Sequence, residues 1–139
     1  MDTGVLNISD GAKIPTDDSR YVVVFADRDQ TLAGTQAITG FGFRPKAVIA
    51  YGGQTSSLEF AWAMRSSSGS DFGFGMASRH SVIAGQVSTS IGQFLSMTES
   101  SSNQSIGSFQ SFDDDGITIN WIKNMTPTGT TRMGFLGFK

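Results

Sequence analysis

The chain has 139 residues, a formal net charge of -2, one histidine and no cysteine, a length that fits a single domain. The missing thiols exclude disulfides and thiolate metal sites, and ten scattered Lys and Arg residues give no basic field for gripping nucleic acid. Only 16% of residues are charged, while 17 are glycine and 11 phenylalanine, a balance that suits short strands with hydroxyl-rich faces and glycine turns.

In chain order, residues 1–18 carry few apolar groups and read as an extended arm ahead of a domain over 19–139. The opening "MDTGVLNISDGAK" has no basic stretch followed by an apolar one, so no secretory leader is expected. The sequons at Asn7, Asn103 and Asn124 are then expected to be chance. "YVVVFA" (21–26) predicts a strand buried on both faces and is far too short to span a bilayer. "TQAITGFGF" (35–43) alternates small polar with apolar residues, and "KAVIAYG" (46–52) is a second buried run. "LEFAWAMR" (58–65) puts Leu58, Phe60, Trp62 and Met64 on one face. Their shared phase predicts that Trp62 faces the core. "FGFGMASR" (72–79) groups Phe72, Phe74 and Met76 in the same way.

"SVIAGQVSTSIGQFLSM" (81–97) comes closest to a helical window, but its β-branched residues and glycines favour strands over one short helical turn. "SIGSFQSF" (105–112) opposes Ile106, Ser108, Gln110 and Phe112 to their neighbours, and "ITINWIK" (117–123) sets Ile117, Ile119 and Trp121 on one face. "TRMGFLGFK" (131–139) is a closing strand whose apolar side chains are expected in the core. "SSSGSD" and "ESSSNQ" read as exposed loops. Roughly eight to ten strands with polar connections predict an all-β fold, an antiparallel β-sandwich of jelly-roll type in one domain.

Few residue sets point to chemistry. "GFGFRPKAVIAYGG" (40–53) is rich in glycine, but a phosphate-cradling loop must open a helix, and here Pro45 and a β-branched run follow. Gly40 and Gly42 therefore read as turn or bulge positions, Phe41 and Phe43 as core, and Pro45 as the entry to the next strand. Asp113, Asp114 and Asp115 are consecutive and cannot all converge on one cation. "DDG" between apolar strands predicts a hairpin turn with Gly116 at positive φ. His80 has no serine elbow with which to form a triad, and Glu59 and Glu99 show no pairing of the glycosidase kind. No catalytic, metal or cofactor-binding residue is assigned, and no enzyme activity is expected. Tyr51, at a strand end before Gly52, Gly53 and Gln54, is the best contact candidate, with Gln54 beside it.

Two stretches carry a resemblance. "ITGFGFRPKAVIAYGG" resembles a "vtG-x-GF-x-PKAVI" signature of small tailed-bacteriophage virion proteins. "FDDDGITINWIKN" followed by "TRMGFLGFK" is similar to the closing half of that pattern, an F-D-x-D-G-F-T-x-N-W hairpin and a short final strand. The resemblance covers residues 35–139; Ile117 stands where an aromatic often does, and residues 1–30 lie outside it. It implies an all-β sandwich, often trimeric, used for capsid decoration or in tail fibres. The expected partners are then the major capsid protein and further copies of the chain as a homotrimer, with no nucleic acid, no membrane and no cofactor. The expected place is the virion surface, after synthesis in the host bacterial cytoplasm. The other reading is a tail-fibre or lectin-like module that contacts host glycans through Tyr51, Gln54 and the "SSSGSD" loop. Decoration ranks first because the chain is short, starts at Met1 and has no fibre-like repeat or heptad stalk.

Overall fold

The computed structural model describes residues 5–7, 13–15, 20–54, 59–68, 72–77, 88–89, 93–99 and 102–139. His80, Asp71, Ser81 and Leu58, and the side chains of Gln54, Glu59, Phe72, Phe74 and Met76, lie outside the described residues. Among those described there is no helix. The strands are β1 (Val5–Asn7), β2 (Lys13–Pro15), β3 (Tyr21–Asp29), β4 (Gly34–Thr39), β5 (Ala47–Gln54) and β6 (Glu59–Ser66), followed by β7 (Phe72–Ala77), β8 (Ser88–Thr89), β9 (Leu95–Thr98), β10 (Gln104–Asp113), β11 (Gly116–Asn124) and β12 (Thr130–Phe138). β1 and β2 form a two-stranded antiparallel pair; the others form two larger antiparallel sheets, ordered β3-β12-β5-β6-β7-β8 and β4-β11-β10-β9. The 81–97 stretch contributes strand residues wherever it is described, at Ser88–Thr89 and in β9.

One apolar cluster joins the two sheets. The smaller sheet supplies Ile38, Leu95, Met97, Ile117, Ile119 and Trp121; the larger supplies Val48, Ala50, Ala61, Ala63, Met133 and Phe135. Period-two alternation in β11 places Ile117, Ile119 and Trp121 inward together, as the sequence predicts. The larger sheet answers these bulky groups with small ones. A Cβ on Gly52 would stand 2.7 Å from Met97 Cε and 2.9 Å from Met133 Cγ. Phe94 and Phe109 close one side edge-to-face at 5.6 Å. At the other end the buried Arg28 stacks on Trp121 at 5.1 Å and donates to the Leu32 carbonyl, while Gln30 donates to Thr131. Burial pushes the Arg28 pKa down, outweighing the neighbouring Asp29 charge, which raises it.

Three expectations are corrected. β6 turns its alanines inward: Ala61 and Ala63 are fully buried, while Phe60 and Met64 are exposed and Trp62 is half-buried. The space across from β6 is already filled by aromatic and long aliphatic side chains, so only methyl groups fit. β3 is not buried on both faces, since Val22, Val24 and Ala26 pack on the core but Tyr21, Val23 and Phe25 face out. In β10 a bulge between Phe109 and Ser111 breaks the alternation, so that Phe109 and Phe112 both pack against the core and Gln110 is exposed.

Candidate functional site

The outward face of the six-stranded sheet is built by the same alternation that builds the core. Register places Val23, Leu136, Ile49 and Met64 in one row, and Phe25, Gly134, Tyr51 and Trp62 in the next. Phe60 extends the face at one end, and Tyr21, Phe138 and Ala47 at the other. Antiparallel sheets that face water normally carry polar residues there. Here Phe25 is 57% exposed, Phe60 47% and Tyr51 38%. Four strands span three spacings of about 4.8 Å and seven residues rise about 3.3 Å each, a patch of roughly 330 Å², the size of the largest apolar patch on a typical monomer, which is often functional.

The relief of this face has specific causes. Gly134 leaves room for the Tyr51 ring, which crosses the backbone where any Cβ would collide with it. Ala47, Ile49, Met64 and Phe138 line a dimple of about 240 Å³, the kind of recess that takes an anchoring side chain from a partner. Polar groups form one rim: Arg132 lies 3.8 Å from Asp27, and its guanidinium sits 5.9 Å from the Phe25 ring. An apolar centre with a charged edge is the anatomy of an association surface.

The acidic run and the glycine-rich stretch meet, with structural effect. Asp115 accepts from the amides of Gly40 (3.0 Å) and Gly42 (2.6 Å), and its carbonyl accepts from Phe41 N at 3.3 Å. The loop thus cradles a carboxylate from the chain itself. Gly40 and Gly42 sit at φ 99° and 72°, values that L side chains rarely adopt; Phe41 is buried, Phe43 half-buried and Pro45 buried at the entry to β5. Asp113 accepts instead from Ser111 Oγ and Thr118 Oγ1, both at 2.7 Å, and Asp114 is exposed. The three carboxylates therefore diverge, and among the described residues no three His, Cys, Asp or Glu side chains gather into a metal site. The hairpin turn forms at Asp114–Asp115, but Gly116 does not take positive φ. Glycine is required there because a Cβ would collide with the Ile38 carbonyl of β4.

Of the predicted contact pair, Tyr51 lies in the exposed face; Gln54 pairs through its backbone with Glu59 at the end of the β5–β6 hairpin. Val23, Phe25, Phe60 and Met64 were not legible as surface residues. Their only signal is that β3 and β6 are apolar on both faces. Glu99 accepts from Thr128 N at 3.1 Å and Thr128 Oγ1 at 2.8 Å, which fastens the loop before β12. No family model, no curated protein and no solved structure matches this chain.

Proposed function

We propose that the chain is a non-enzymatic virion structural protein, a capsid decoration protein that binds the assembled phage head and stabilises it. The supporting observation is the apolar outward face of the six-stranded sheet, centred on Phe25, Tyr51 and Phe60. A cement protein contributes binding free energy that only the assembled shell receives, and a homotrimer multiplies each contact through avidity. The partners in this reading are the major capsid protein and further copies of the chain. A sandwich of jelly-roll type is the matching architecture: the two sheets share one core, and the chain passes between them at β3–β4, β4–β5, β8–β9 and β11–β12. Quantitative mass spectrometry of purified particles tests the reading. A copy number near that of the coat protein supports it, and absence from the particle refutes it.

A second reading, a tail-fibre or lectin-like module for host glycans, is favoured by the exposed Tyr51 ring laid across Gly134, since a flat aromatic face can stack on a sugar. A few copies per particle, with glycan-array binding lost in Tyr51→Ala, would select it.

A further inference from the structure

At one end of the sandwich the apolar core gives way to polar side chains. Inward alternation in β3 carries Val22, Val24 and Ala26 onto the core and then presents Arg28. β12 continues the row of Met133 and Phe135 with Thr131, and β11 follows Ile117 and Ile119 with Trp121. Arg28, Gln30, Thr131 and Trp121 are all buried. Gln36 of β4, paired with Ile119 and so diagonal to Trp121, is half-buried. It crosses to the other sheet, where its Nε2 donates to the Asp27 carbonyl at 2.9 Å.

Arg28 Nη2 donates to the Leu32 carbonyl and Gln30 Nε2 to Thr131 Oγ1. The carboxylates that flank Arg28 turn elsewhere: Asp29 accepts from Thr31 N and Oγ1, and Asp27 lies beside Arg132. Among the described residues, Arg28 Nε, Trp121 Nε1 and Gln36 Oε1 are shut off from solvent and have no hydrogen-bond partner. The surroundings of the indole are themselves described: Gly34 on β4, Gly107 on β10 and, over the ring at 5.1 Å, the Arg28 guanidinium. Buried donors and acceptors are nearly always satisfied, by protein or by ordered water. A bare N–H on a buried cation is among the costlier exceptions.

These atoms specify what can satisfy them. The indole and guanidinium N–H groups only donate. The Asp27 carbonyl only accepts, so Gln36 must turn its amide nitrogen toward it, which fixes Oε1 as the atom left over. An anion accepts from Arg28 and Trp121 but has no proton for Gln36, and a metal cation is repelled by both donors. Water meets all of them, and about three hydrogen bonds is the usual number for a buried one. There is room beside the indole, since a Cβ on Gly34, the residue paired with Trp121, would meet no atom within 4 Å. We propose that this end of the sandwich holds a long-lived structural water that accepts from Trp121 Nε1–H and Arg28 Nε–H and donates to Gln36 Oε1. It ties β3 of the larger sheet to β4 and β11 of the smaller, where the chain crosses from one sheet to the other. The site is separate from the outward apolar face and is filled whatever that face meets.

Water-selective NMR on the full-length, nitrogen-15-labelled chain tests this. The chain has two tryptophans, so Trp62→Phe identifies the indole signal of Trp121. The wild-type protein should show NOE cross-peaks from water to Trp121 Hε1 and Arg28 Hε, with the sign of a water that tumbles with the protein. Thr131→Val removes the exchangeable hydroxyl opposite Arg28 in the strand register and should leave both peaks in place. Gln36→Leu removes the acceptor and should weaken them roughly fivefold, as the loss of one ordinary hydrogen bond would. Replacing chloride with bromide should shift neither signal. Absence of the water peaks from the wild-type protein would overturn the proposal. So would their loss in Thr131→Val, which would assign them to a hydroxyl, or their full strength in Gln36→Leu. A saturable shift with bromide would overturn it in favour of an anion.

Discussion

Phe25→Ser tests the docking role of the outward face. The side chain is 57% exposed, so of about 200 Å² on an aromatic side chain some 110 Å² remains for a partner to cover. At about 25 cal/mol per Å², that area is worth about 2.8 kcal/mol, or roughly a hundredfold in affinity. The isolated chain should lose up to about 2 kcal/mol, since the remaining area of roughly 90 Å² is already covered within the chain. It also loses the contact with Arg132 at 5.9 Å, worth up to about 1 kcal/mol at an exposed site. The assay offers equal amounts of wild-type and Phe25→Ser protein, in competition, to heads that lack the protein, and reads the bound ratio by mass spectrometry. Denaturant unfolding of the same two proteins supplies the folding term. A bound ratio near one, with both proteins folded, would refute the assignment of this face to docking. A loss of stability in the free chain well beyond these amounts would refute the reasoning differently, by showing that Phe25 is packed and not exposed.

Other residues give further outcomes. Asp115→Ala removes the acceptor for the Gly40 and Gly42 amides and should cost about 1–2 kcal/mol, because water replaces part of what is lost. Asp114→Ala, at the exposed turn position, should stay within about 0.5 kcal/mol; thermal unfolding of both compares them. Gly116→Ala forces a methyl group into the Ile38 carbonyl and should cost about 3 kcal/mol or more, seen as a lower urea midpoint. The Asp29 pKa is held below the usual carboxylate value, first by the Thr31 hydroxyl and then by the Thr31 amide. A depressed folded pKa gives stability that is present above the unfolded value and is lost as pH falls through the folded one. Asp29→Asn should therefore be less stable than wild type at pH 7, and denaturation at successively lower pH should show that gap closing only below about pH 4.

The all-β architecture was readable because the strands announce themselves by period-two alternation and glycine punctuation, and β11 shows this best: Ile117, Ile119 and Trp121 are in phase and buried. Alternation fixes which residues share a face but not which face turns inward. In β6 both choices looked apolar, and the answer depended on Trp121, Phe94 and Met97 arriving from the other sheet. A reading that sends large apolar groups inward then hides the surface formed by Phe25, Phe60 and Met64. Tyr51 reads in the sequence as a strand end before two glycines, but β5 continues through them to Gln54, and Tyr51 faces outward from mid-strand. The partnership of Asp115 with Gly40 and Gly42 was not legible, since it spans more than seventy residues and no local pattern encodes it.

β12 lies between β3 and β5, pairing with the first from Tyr21 to Asp29 and with the second from Ala47 to Gly53. Until Thr130–Phe138 has been synthesised, β3 has no neighbour in its sheet and β5 has one open edge. The emerging chain therefore exposes strand edges flanked by Val23, Phe25 and Ile49, the kind of surface that templates aggregation. Pairings of such long sequence separation also make folding slow, because loop closure precedes the contacts that reward it. Concentration during synthesis, and the speed with which the last strand is captured, then decide how much of this chain folds before it aggregates.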